Sequence, residues 1–158
     1  MNNPTWDILM LLFFFSAVLI YGLFAGRNKT IVLLLAAYPA TLLNEYFPYP
    51  AGFLSRFNVS QVIFLRVFSF FVLTLIIFWI LGKTGLSRKE INRKTGQVIF
   101  LSFLSVGFWA NIVFGYALKA DSEIVKLAPI TQFLFGSNWA HFIWLALPLL
   151  ALFYIERK

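Results

Sequence analysis

From Ile8 to Ala25 the chain runs 18 residues without a charged side chain. Wound as a helix, that run is about 27 Å long, close to the ~30 Å hydrocarbon core of a bilayer. A helix that is apolar all round must be buried on all sides, in protein or in lipid. With 158 residues in total, protein alone cannot cover several such helices. Composition leads to the same place. The chain is 61% hydrophobic, 20% aromatic and 12% charged, whereas a soluble domain carries about twice that charged fraction. The sequence therefore predicts an all-α integral membrane protein, a single transmembrane domain over residues 1–158.

Spans are predicted at residues 6–25, 31–47, 62–81, 98–118 and 139–155. The first is not a typical cleavable signal, because Asp7 replaces a basic leader and the apolar run is too long. The second is short and carries Pro39, with Tyr38 and Thr41 nearby to satisfy the carbonyl that the proline frees. It stops at Pro48-Tyr49-Pro50. The polar stretch from Gly82 to Gly96 holds Ser87 and Glu90 at capping-box spacing. Between Asp121 and Asn138, charge mixes with Ile124, Leu127, Ile130 and Leu134 at helical spacing. That segment reads as an interfacial helix broken at Pro129 or as a re-entrant piece.

Lysine and arginine set the expected orientation. Arg27, Lys29, Lys83, Arg88, Lys89, Arg93, Lys94, Arg157 and Lys158 fall at one set of ends; Arg56, Lys119 and Lys126 fall at the other. The positive-inside rule places the richer set in the cytoplasm, with the N-terminus outside and the C-terminus inside. Trp6, Tyr46, Tyr49, Tyr116 and Trp139 then form an outer aromatic belt. The same placement accounts for the net charge of +7 without nucleic-acid binding. The basic loop of Lys83, Arg88, Lys89, Arg93 and Lys94 is a topology anchor that could also hold anionic lipid.

The absence of cysteine and the single histidine, His141, exclude disulfides, thiolate catalysis and any site of two imidazoles. Six scattered carboxylates and the lack of a recognised catalytic motif point away from an enzyme, and no metal or cofactor is expected. The polar residues inside spans are few. Arg66 lies about two turns into the third span, where a charge costs roughly 2–3 kcal/mol. It either snorkels to headgroups or forms a buried pair with Glu45 or Asp7. Gly107, Asn111 and Gly115 share one face of the fourth span, which fits helix packing or a pore lining. Gly22 and Gly26 have the spacing of a tight helix crossing. His141 reads as an interfacial residue or a proton shuttle.

Several stretches resemble the colicin V production protein (CvpA) family. These are Trp6-Asp7 opening the first span, Gly22-Leu23-Phe24-Ala25-Gly26-Arg27 closing it, and the short second span. The loop Gly85-Leu86…Ile91-Asn92-Arg93-Lys94-Thr95-Gly96 and the segment Asp121-Ser122-Glu123-Ile124-Val125 before Pro129 continue the likeness, which covers about residues 5–135. Lys94-Thr95-Gly96 replaces a more apolar approach to glycine, and residues 139–155 add a span to the four of the family. The resemblance implies an inner-membrane protein linked to bacteriocin export and envelope homeostasis. The expected function is that of a non-enzymatic scaffold or accessory component, with the lipid bilayer, other membrane proteins or further copies of itself as partners. A transporter or channel subunit that forms a pathway as an oligomer is the alternative.

Overall fold

The computed structural model describes residues 6–48, 56–84, 95–120 and 129–156. All regular structure among them is helical: α1 Trp6–Ala25, α2 Arg27–Glu45, α3 Val59–Lys83, α4 Thr95–Ala120, α5 Pro129–Phe135 and α6 Asn138–Glu156. Three stretches are long and apolar enough to cross a membrane, Val59–Lys83, Thr95–Lys119 and Asn138–Ile155. The Ser87–Glu90 cap, the breaker at Pro48-Tyr49-Pro50 beyond its first residue, and the segment 121–128 lie outside the described residues.

The second helix departs from expectation. It starts at Arg27 rather than residue 31 and ends at Glu45 rather than 47. The basic Arg27-Asn28-Lys29 is thus its first turn, not a loop. Only Gly26 separates α1 from α2, with a φ of 89° that an L-side chain rarely adopts. A Cβ on Gly22 would sit 3.0 Å from the Thr30 hydroxyl. Eight residues of unbroken helix would hold those positions about 12 Å apart, so the chain turns back at Gly26. Neither hydroxyl expected to serve the carbonyl freed by Pro39 does so. Thr41 donates to Ala37 at 2.8 Å, one turn back on its own helix, while the Tyr38 hydroxyl leaves α2 altogether and donates to the Leu145 carbonyl of α6 at 2.7 Å.

Helix ends follow local chemistry. The Asn58 amide donates to the Gln61 side chain at 3.1 Å at the start of α3, half of a capping box. Ser137 caps α6 by accepting the Ala140 amide at 3.1 Å, as serine does at an N-cap. Pro129 begins α5, a position where its missing N–H costs nothing.

Most packed pairs of long helices run antiparallel. Gly22 of α1 faces Val98 and Ser102 of α4, while Phe15 meets Phe103, so residue numbers run oppositely along the pair. Asn44 at the end of α2 reaches Arg66 near the start of α3. Asn111 and Gly107 of α4 meet His141 and Trp144 of α6 in turn, again antiparallel. Arg27 bonds to Gln97 at 3.0 Å and Tyr38 stacks on Phe108 at 4.4 Å, so α2 and α4 run parallel. The Gly26 turn, Lys83 and Glu156 therefore share one end of the bundle; Glu45, Lys119 and Asn138 share the other.

The centre is α4, which packs against every other described helix. Of its span, 67% is buried, against 11% for α3 and for α6. The core joins Leu34, Ala37 and Ala40 of α2 to Phe70, Leu101, Phe108, Ile112 and Tyr116. Tyr116 is 6% exposed and belongs to this core, not to the expected belt. Tyr46 and Trp139, at 81% and 78% exposure, do stand on the surface.

Candidate functional site

Small residues let α1 and α6 approach α4. A Cβ on Gly22 would lie 2.9 Å from Val98 Cγ1, 3.0 Å from Thr30 Oγ1 and 3.1 Å from Ser102 Oγ, so three helices meet at that glycine. Gly26, with nothing within 4 Å of a Cβ, contributes a backbone angle instead. The pair expected to form one crossing thus splits into a contact and a turn.

The Gly107–Asn111–Gly115 face of α4 looks at α6. The Trp144 ring lies on Gly107 in the space a Cβ would occupy. That indole donates to the Leu134 carbonyl at 3.0 Å, stacks on Phe135 at 5.4 Å and touches Phe103, tying α5 and α6 to α4. Asn111 is fully buried and its Nδ2 stands 2.8 Å from His141 Nδ1. With the amide donating, Nδ1 accepts and the imidazole proton sits on Nε2. Gly115 lies looser, with His141 Cε1 4.0 Å from a would-be Cβ.

The same end of the bundle gathers charge. Lys119 Nζ and Glu45 Oε1 pair at 3.2 Å on a surface where both are half or more exposed. His141 lies in the field of both charges. Arg66 enters through its backbone: its carbonyl accepts Asn44 Nδ2 at 3.1 Å. Among the described residues no ion pair joins Arg66 to Glu45, and Asp7 is outside those whose side chains are described. Asn44 and Asn111 each leave a buried Oδ1 without a partner among the described residues. Chemically, this end offers hydrogen-bond acceptors and one imidazole beside a solvated ion pair.

At the opposite end, Lys83 closes α3 with its ammonium 3.6 Å above the Trp79 ring. Arg88, Lys89, Arg93 and Lys94 lie outside the described residues.

Several participants escaped the sequence reading. Lys119 as the partner of Glu45, Trp144 as the cover of Gly107, and Trp109, whose buried indole nitrogen has no partner among the described residues, carry no local signature. Only the i, i+3 spacing of His141 and Trp144 hinted that they share a face.

The fold and this site together define a helical protein with helices able to cross a membrane. Comparisons with protein-family models, curated proteins and solved structures find no match.

Proposed function

We propose that the chain is a non-enzymatic scaffold or accessory protein of the bacterial inner membrane, crossing it five times with its N-terminus outside and its C-terminus in the cytoplasm. The carrying observation is the closed setting of α4. Three of its polar and small positions meet neighbouring helices, Gly107 under Trp144, Asn111 Nδ2 on His141 and Ser102 on the Val18 carbonyl at 3.5 Å. Lipid offers no hydrophobic drive between helices, so close contacts and interhelical hydrogen bonds of this kind hold a bundle together. The charge asymmetry between loops supports the orientation, and the resemblance to the colicin V production proteins supports an envelope process as the setting.

Single cysteines at Asn3, Ser87 and Ser137 test the topology in this cysteine-free chain. An impermeant thiol reagent on intact cells labels positions 3 and 137 and spares 87; the opposite pattern overturns the orientation. Native mass measurement of the purified complex, with its co-purifying proteins, tests the scaffold role, which fails if the chain is found alone and without partners in mild detergent.

A transporter subunit is the second reading. It is favoured by the unpartnered Oδ1 atoms of Asn44 and Asn111 at the end that also holds His141, Glu45 and Lys119. Proton or ion flux in proteoliposomes that falls in Asn111→Ala would favour this reading over the scaffold.

A further inference from the structure

The contact between Asn111 and His141 uses only half of what the amide offers. Nδ2 stands 2.8 Å from Nδ1 of the imidazole, while Oδ1 of the same side chain is buried and has no partner among the described residues. The two residues also differ in their access to water. Asn111 is fully buried, whereas His141 is exposed.

Histidine is the side chain that exchanges a proton with water near neutral pH. In the neutral ring Nε2 carries the proton and Nδ1 accepts from the amide. A second proton, taken from water, has only Nδ1 to bind, and there it would face the amide N–H across 2.8 Å. Two donors cannot share that line. A half-turn of the amide about its Cβ–Cγ bond removes the conflict. The two ends of an amide are nearly equal in size, so the turn needs no extra room. It brings the unused Oδ1 onto the new Nδ1–H, where a charge-assisted hydrogen bond is stronger than the neutral one it replaces.

We propose that Asn111 and His141 form a proton-operated switch, in which uptake of a proton by His141 turns the Asn111 amide over and reverses the bond between α4 and α6 without breaking it. In the neutral state Asn111 leaves a buried acceptor unpaired; in the charged state it leaves a donor. A proton taken up at an exposed ring is thereby registered at a buried position on the central helix. The charges acting on the ring are Lys119 on α4 and Glu45 on α2, which pair with each other at 3.2 Å. The residues of α5 carry no titratable group, and the next on α6 is Tyr154. The phenols of Tyr38 and Tyr116 stay neutral where histidine titrates. The switch requires only this contact and water at the ring, on whichever side of a membrane that end lies.

The chain has one histidine, so isotope-labelled histidine is a single-site probe. The full chain in nanodiscs is titrated from about pH 8 to about pH 4, well below the ordinary value for histidine. Nitrogen NMR follows the ring, and hydrogen exchange times its two N–H groups. In the charged state the Nδ1 proton exchanges about tenfold more slowly than the Nε2 proton, the protection that a hydrogen bond to a charged group gives. Asn111→Leu has neither donor nor acceptor. It makes the two ring protons exchange alike and lowers the midpoint by about 0.7 unit, because a hydrogen bond roughly doubles in strength on gaining a charge. Asn111→Asp can only accept and raises the midpoint by about 1–3 units. Should the Asn111 variants fold poorly, Glu45→Gln combined with Lys119→Gln, both at exposed positions, keeps the Nδ1 protection. Equal exchange of the two ring protons in the unaltered charged chain overturns the switch, since the ring has then left Asn111. A midpoint unmoved by Asn111→Leu, or a ring that stays neutral throughout, overturns it as well. Protection lost together with the Glu45 and Lys119 charges assigns the proton to the ion pair and has the same effect.

Discussion

The hydroxyl of Tyr38 in α2 donates to the main-chain carbonyl of Leu145 in α6 at 2.7 Å, one residue beyond the carbonyl that would have received the missing N–H of Pro148. A proline inside a helix disturbs the turn before it, and in a bilayer the exposed backbone must be satisfied by protein. One phenol thereby joins two helices that lie 107 residues apart in the chain. Its ring, stacked on Phe108, is held in place by α4.

Tyr38→Phe keeps that stacking and removes only the donor. The expected loss is about 1 kcal/mol, the net worth of a hydrogen bond whose acceptor is left buried. Thermal unfolding in detergent measures it. An unchanged Tm would mean that the carbonyl is satisfied without Tyr38.

The glycines on α4 separate by what lies above them. Gly107→Ala puts a methyl group into the Trp144 ring and should cost about 1–3 kcal/mol, the usual range for overpacking. Gly115→Ala meets only an ordinary contact and should leave the protein as stable as before or slightly more so. Equal melting temperatures for the two variants would show that Trp144 does not rest on Gly107.

Asn111 and His141 should be coupled. A double-mutant cycle with Asn111→Ala and His141→Ala is expected to return about 0.6–1.7 kcal/mol, the range found for interhelical hydrogen bonds in membranes. Additive losses would mean that the 2.8 Å contact carries no interaction energy.

Glu45 and Arg66 should be independent. The carboxylate pairs with Lys119 on an exposed surface, so Glu45→Gln is expected to change stability by less than about 1 kcal/mol. Combining it with Arg66→Gln should give the sum of the single effects. A partial rescue by exchanging Glu45 and Arg66 would instead reveal a buried pair.

Much of the fold was legible along the chain because helices in lipid satisfy their own backbone. Any apolar run of sufficient length is therefore helical, and the predicted 62–81, 98–118 and 139–155 each fall inside an observed helix with one to three residues of margin. The misreadings fell where a local rule met a tertiary one. Arg27 and Lys29 look like loop residues, yet α2 begins at Arg27 because Gly26 alone can make the turn. Tyr116 looks like a belt residue, yet it belongs to the core because α4 packs against every other described helix.

Residue order by itself determined the all-helical class, the long apolar stretches and the few polar positions within them, since these depend only on composition and period. The tertiary structure decided who meets whom. Asn111 and His141 were each visible as single polar residues, but no pattern in the sequence ties position 111 to 141 or 45 to 119. Such pairs arise from the antiparallel register of α4 on α6 and the parallel register of α2 on α4. The first is fixed by Trp144 on Gly107 and the second by Tyr38 stacked on Phe108, where steric fit in three dimensions, rather than hydropathy, chooses the partner.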